Sequence, residues 1–206
     1  MAKGRLRIGV SGPAGAGKTT LVKALAADLS LPIIEEGLRA LYDAQVAYHH
    51  ASRTPGTPPE VQKRALANWM QTYFDWCDAR QAAYAQHPDF VADRWELDLF
   101  GYWLHAFVQH NTFDDTRRLH EIFLQRSREF DLFVMLPVGD FEAEERNEVG
   151  LKRQTSYNRS VVTHSSFTGL LFQVPGSAPR YVPLAVEPVE KRVADIVEIA
   201  RALRAG

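Results

Sequence analysis

The sequence predicts an α/β protein in which a parallel sheet is covered by helices on both faces. Two observations lead there. Strand-length apolar runs alternate with helix-period segments along the whole chain, the pattern left by parallel strands joined through helical crossovers. The first such run, Leu6 to Val10, turns through a glycine-rich stretch directly into a helical segment, Thr20 to Leu29.

That stretch, Gly12-Pro13-Ala14-Gly15-Ala16-Gly17-Lys18-Thr19, fits G-x-x-x-x-G-K-[ST] between a strand and a helix. In this context the pattern means a phosphate-binding loop. Glycine reaches backbone conformations closed to other residues and lets amide groups approach an anion. The helix that follows adds its positive N-terminal end. The backbone from Gly12 through Ala14, Gly15, Ala16, Gly17 and Lys18 to Thr19 and Thr20 is therefore expected to hold a nucleoside triphosphate. Lys18 would reach the β- and γ-phosphates, and the Thr19 hydroxyl would ligate Mg²⁺.

Leu31 to Ile34 reads as a short buried strand ending in Glu35-Glu36, and a helix then runs through Leu38, Leu41 and Tyr42 towards Tyr48. Ala51 to Pro59 reads as a loop. Thr57-Pro58-Pro59-Glu60 reads as a helix start, with Thr57 as N-cap, Pro at the first helical position and Glu three residues on. Val61, Ala65, Trp69, Tyr73, Trp76 and Tyr84 then mark one face of a long helix, which fits a homodimer surface and a core element equally well. Phe90 to Asp93 is a second buried strand ending in a carboxylate. Helical stretches follow over Leu97–His110 and Asp114–Phe130, then a core strand over Asp131–Leu136, a charged stretch over Glu142–Arg159 and a helix over Ser160–Phe172. Tyr181 to Val186 reads as the last strand and Val189 to Leu203 as a closing amphipathic helix.

With 206 residues, 46% of them apolar and 24% charged, a single domain spanning 1–206 is expected, with a lid at about 140–160. A net charge of −1 leaves no electrostatic footprint for nucleic acid or an anionic membrane. Cys77 is the sole cysteine, which fits a reducing cytoplasm. No apolar run approaches the ~18 residues of a membrane span. The histidines show no metal-ligand spacing. Asp98-Leu99-Phe100-Gly101 fits the D-x-x-G of GTPase switch regions, but no N-K-x-D motif accompanies it, and chance explains it.

In parallel sheets of this kind, ligands sit at the carboxyl ends of the strands. Asp93 is there, expected to hold Mg²⁺ or its waters, or to cap the helix after it. Arg94 would grip a phosphate or the anionic group of an acceptor, or form a surface ion pair. Asp98, about a turn on, would pair with Arg94 and orient it. Glu36 and Arg39 stand three apart, either as a base and an acceptor ligand or as a local ion pair. Arg146, Lys152, Arg153 and Arg159 lie among acidic residues, and a basic segment after a core strand suits a lid closing on a triphosphate; a solvated charge run has the same composition.

The phosphate loop, Glu36-x-x-Arg39, Ala92-Asp93-Arg94 followed by Asp98 and Tyr102, and the Arg146–Arg153 segment together resemble the small P-loop kinases. The ribosylnicotinamide-kinase-like ATPases match best, with deoxynucleoside and thymidylate kinases as more distant relatives. The resemblance covers nearly the whole chain. It implies a three-layer fold with a five-stranded parallel sheet and a lid, ATP with Mg²⁺, and a small nucleoside-like acceptor bearing a hydroxyl. It implies that Asp93 serves the metal or the acceptor hydroxyl, that Glu36 (or Glu35) binds the acceptor and acts as base, and that Lys152 or Arg153 supplies the lid cation; Arg39, Arg94 and Asp98 are the further candidates for binding the acceptor. A nucleotide-driven regulatory ATPase without a small-molecule acceptor is the alternative.

Overall fold

A computed structural model describes residues 5–110, 112–138, 157–176 and 180–205. The chain forms two compact units, one of residues up to Glu35 together with those from His87 onward, the other Glu36–Gln86.

The first unit carries the sheet. Among the described residues its strands are β1 (Arg7–Ser11), β2 (Ile33–Ile34), β3 (Phe90–Asp93), β4 (Leu132–Met135) and β5 (Tyr181–Pro183), all parallel in the order β2-β3-β1-β4-β5. The helices of this unit are α1 (Lys18–Leu29), α4 (Glu96–Ala106), α5 (Phe113–Ser127), α6 (Tyr157–Leu171) and α7 (Val189–Ala205). The five-stranded parallel sheet expected from the resemblance is thus present.

Period-2 alternation explains the layers. Ile8 and Val10 of β1, Val91 of β3, and Leu132 and Val134 of β4 join Leu21, Val22 and Leu25 of α1 and Ile196 and Val197 of α7 in one buried cluster. The alternate residues face the other way, where Trp95 stacks on Phe133 at 4.6 Å and also meets Phe130 and Phe123. Gly9 of β1 fits beneath that indole: a Cβ there would lie 3.0 Å from Trp95 Cδ1. The bulky Trp95 thus explains a glycine inside a central strand.

Helix α1 starts at Gly17, in the left-handed conformation (φ 84°), and ends where Ser30 takes the same conformation (φ 53°). The Leu31 amide returns to the Ala26 carbonyl at 2.9 Å, the closing bond of a Schellman turn. On the other side of the sheet, α4 and α6 meet at Gly101, where a Cβ would stand 2.3 Å from Phe167 Cε1.

The second unit pairs α2 (Arg39–Arg53) with α3 (Pro59–Gln86). Tyr48 stacks on Trp69 at 5.3 Å, and Trp69, Tyr73, Trp76 and Tyr84 are buried, so the aromatic face of α3 is core. Arg80, which the sequence gave no reason to bury, lies 4.9 Å over the Trp76 ring.

Several boundaries differ from expectation. Helix α2 runs on to Arg53, into the stretch read as loop. Pro59 does open α3, but Thr57 does not cap it: its hydroxyl donates back to the Thr54 carbonyl at 2.8 Å, within a turn closed by the Thr57 amide. The first helical bonds of α3 go instead to the Pro58 carbonyl, from the amides of Val61 and Gln62. Helix α4 stops at Ala106 rather than His110, and β5 is confined to Tyr181–Pro183. The stretch 139–156, which includes most of the expected lid with Arg146, Lys152 and Arg153, lies outside the described residues.

The Gly101 contact yields a test. Gly101→Ala gains ~1 kcal/mol of helix propensity but forces a methyl into the fully buried Phe167 ring, an overpacking cost of about 1–3 kcal/mol. A net fall in Tm of roughly 2–4 °C is expected, partly relieved by adding Phe167→Leu. A Gly101→Ala variant that melted higher than the parent would show that this contact is not tight.

Candidate functional site

The site grows from the carboxyl ends of β1 and β3. Their parallel register sets Val10 opposite Asp93, so the residues after each strand emerge side by side: the glycine-rich loop from β1, Asp93 and Arg94 from β3. Gly12, at φ 150°, turns tightly past the exit of β4, and a Cβ there would sit 2.9 Å from that of Leu136. Gly15 and Gly17 take φ of 74° and 84°, values that L residues with side chains rarely adopt. Thr19 and Thr20, in the first turn of α1, are exposed, while Ala16 is buried.

Lys18 is 5% exposed. Its ammonium donates to the loop's own carbonyls, Gly12 O at 3.0 Å and Pro13 O at 2.5 Å. The expected phosphate cation is therefore enclosed by the loop it serves. Thr19 Oγ1 donates to Asp93 Oδ2 at 2.6 Å. The two groups expected to share a metal are in contact, although 74 residues apart. A hydroxyl and a carboxylate are oxygen donors of the kind Mg²⁺ takes, an ion that keeps waters and phosphate oxygens in most of its octahedral positions.

Arg94 occupies the left-handed region (φ 62°), a conformation that costs a non-glycine residue about 1–3 kcal/mol. Its amide donates to Val10 O at 3.0 Å, extending the β1–β3 ladder by one bond. The turn carries its side chain inward: it is 2% exposed, and its Nη1 donates to Asp98 Oδ1 at 2.8 Å and to the Tyr102 hydroxyl at 2.6 Å. Asp98 is itself 1% exposed. Its second oxygen, Oδ2, accepts a hydrogen bond from Ser11 Oγ and lies 3.5 Å from the Trp95 amide. Burial pushes the Asp98 carboxyl above the usual carboxylate range, opposed by Arg94, by Lys18 and by the Ser11 hydroxyl.

The Arg94–Asp98 pairing expected from the sequence is present, as a buried pair. Both side chains meet within the fold, whereas an acceptor ligand would present them outward. Sequence reasoning placed Ser11 with the glycine loop at a strand end but gave it no role, and it passed over Glu96, an acid buried in the first turn of α4.

The other acceptor-side candidates belong to the second unit. Gly37 (φ 63°) precedes α2, which begins at Arg39, so Glu36 is not on the helix and the one-turn spacing assumed for Glu36 and Arg39 does not apply. Arg39 Nε instead pairs with Asp43 at 2.9 Å, both side chains being solvent-exposed. The Glu36 carbonyl accepts from Trp76 Nε1 at 2.9 Å, tying the entry of α2 to α3.

Comparison with known proteins agrees with this architecture. A family model described as an AAA domain matches residues 7–170. No curated protein matches the chain. Among solved structures, deoxyadenosine kinase from M. mycoides superposes with a TM-score of 0.62 at 14% identity, over 96% of this chain and 100% of that one. Thymidylate kinase from Candida albicans gives 0.57 at 16% identity, over 97% and 92%. NadR protein in complex with NR gives 0.61 at 15% identity, over 98% of this chain but 51% of its own, so this chain spans about half the length of NadR. At such identities the likeness is one of fold. The chain belongs to the AAA domain family, and its five-stranded P-loop fold is the one found in nucleoside and nucleotide kinases.

Proposed function

We propose that this chain is an ATP-dependent phosphotransferase that moves the γ-phosphoryl group of ATP to a hydroxyl of a small nucleoside-like acceptor. The observation that carries the reading is the contact between Thr19 and Asp93 at the mouth of a complete phosphate loop. Thr19 and Asp93 would hold Mg²⁺, which when bound neutralises phosphate charge and orients the β- and γ-oxygens. Lys18 exchanges its two loop carbonyls for phosphate oxygens, and the amides from Gly15 to Thr20 receive the remaining charge at the start of α1. Asp93 or Glu36 takes the proton of the attacking hydroxyl. Arg39 contributes to acceptor binding, and Arg146 with Lys152 or Arg153 supplies positive charge to the transferring group. Deoxyadenosine kinase from M. mycoides, which shares the fold, has the products dCMP and dCDP bound in its structure, which supports an acceptor of nucleoside-like class.

A second reading, a nucleotide-driven regulatory ATPase, draws support from the family match, described as an AAA domain with no acceptor named. Phosphorus NMR on the chain with Mg²⁺ and ATP, against a panel of ribosides, deoxynucleosides and mononucleotides, separates the two. A new phosphomonoester is expected on one acceptor class. A phosphoanhydride product would make the chain a nucleotide kinase, and free phosphate whatever is added would favour the regulatory reading.

Two variants test the assignments. Lys18→Ala is expected to lower kcat by roughly 10²–10³-fold, the cost of removing one preorganised electrostatic group. Asp93→Asn is expected to abolish turnover while Tm stays within a few degrees; full activity in that variant would remove Asp93 from the mechanism. Glu36→Gln separates the two candidate bases, since loss of turnover with intact nucleotide binding would assign the proton to Glu36.

A further inference from the structure

We propose that Asp98 is a positioning residue of the nucleotide site: its carboxylate bridges the ends of β1 and β3 and so sets the phosphate loop against the Thr19–Asp93 pair. The proposal rests on the nucleotide-binding part of the function proposed above, and not on the identity of the acceptor.

The register shows where the bridge falls. Backbone pairing between β1 and β3 runs from Arg7↔Phe90 to Val10↔Asp93, and the Arg94 amide adds a last bond to Val10 O. The next residues along, Ser11 and Arg94, stand beside one another, but the left-handed turn at Arg94 (φ 62°) takes its backbone out of the sheet. Asp98 closes this gap with side chains: Oδ2 takes the Ser11 hydroxyl and Oδ1 takes Arg94 Nη1 at 2.8 Å. The bridge therefore forms an additional rung where the ladder stops. Each of its two feet is adjacent in sequence to a working element, since Ser11 immediately precedes Gly12 of the phosphate loop and Arg94 immediately follows Asp93.

Position and charge explain why a carboxylate does this. Asp98 lies in the first turn of α4, whose amide end favours a negative group, and the Trp95 amide points towards its Oδ2 at 3.5 Å. Arg94 brings a full positive charge into the fold, with the Tyr102 hydroxyl as a further partner at 2.6 Å. A neutral residue at position 98 would remove one counter-charge from that buried guanidinium, a costly change. Lys18 is the other cation whose field reaches Asp98. At 1% exposure the carboxylate is closed to solvent and to an acceptor. Asp98 therefore acts through its neighbours, as partners behind metal ligands do.

The test follows Mg²⁺-dependent binding of N-methylanthraniloyl-ADP by fluorescence, with Tm measured on the same full-length samples. The variants are Asp98→Asn, Ser11→Ala and, as a purely structural control in the α1–α7 core, Val197→Ala. Asp98→Asn is expected to raise the half-saturating Mg²⁺ concentration by roughly 10-fold, the scale seen when an outer partner of a metal ligand is removed. Ser11→Ala is expected to shift it in the same direction by less, while Val197→Ala lowers Tm with the midpoint unmoved. Should Asp98→Asn fail to fold, Ser11→Ala decides alone. Midpoints unchanged in the bridge variants, at losses of Tm like that of the control, would overturn the proposal. A parent chain that bound no nucleotide at any Mg²⁺ concentration would instead overturn the functional reading, and this proposal with it.

Discussion

Parallel pairing of β1 with β3 is the constraint from which the site follows. Because Val10 faces Asp93, two stretches far apart in sequence leave the sheet as neighbours, one carrying a phosphate loop and the other a carboxylate. The pairing depends in turn on the core on each side of it. Ile8, Val10 and Val91 pack towards α1 and α7, while Gly9 lets the Trp95 indole lie flat beneath the opposite face.

Local signals made part of this legible in advance. The phosphate loop occupies eight consecutive residues, and its terminal glycines, lysine and threonine answer backbone and charge demands within the loop itself. Asp93 was legible for a related reason, since a carboxylate directly after a buried apolar run can be placed without knowing what lies beside the run. The alternation of strand and helix gave the layers. The resemblance to small P-loop kinases supplied the strand number, which alternation alone leaves open.

What stayed hidden depends on distant or competing partners. Ser11 and Asp98 are 87 residues apart, and no spacing rule links a strand-end serine to the first turn of a later helix. Arg94 read as an outward-reaching cation because nothing in the sequence betrays a left-handed backbone at an arginine, yet that single torsion turns it inward. At Arg39, Asp43 outcompeted Glu36 because helix α2 begins only after Gly37, placing Asp43 a full turn along while Glu36 remains outside the helix. Thr57 was lost as a cap to a nearer acceptor, the Thr54 carbonyl. At Arg39 and Thr57 a local pattern was correct about the residue's chemistry and wrong about its partner.

The burial of Lys18 and Arg94 gives the site an electrostatic character that its surface charge does not suggest. Both cations are enclosed, one by loop carbonyls and the other by Asp98 and Tyr102, in a chain whose net charge is −1. Affinity for a polyphosphate would then come from a preorganised cradle, and not from long-range attraction. That distinction can be measured. Isothermal titration calorimetry of the chain with ATP, with and without Mg²⁺ and at two salt concentrations, tests it most directly. The account expects one site per chain, strengthened by Mg²⁺ and only weakly dependent on salt. Absence of binding, or binding indifferent to Mg²⁺ and steeply weakened by salt, would contradict it.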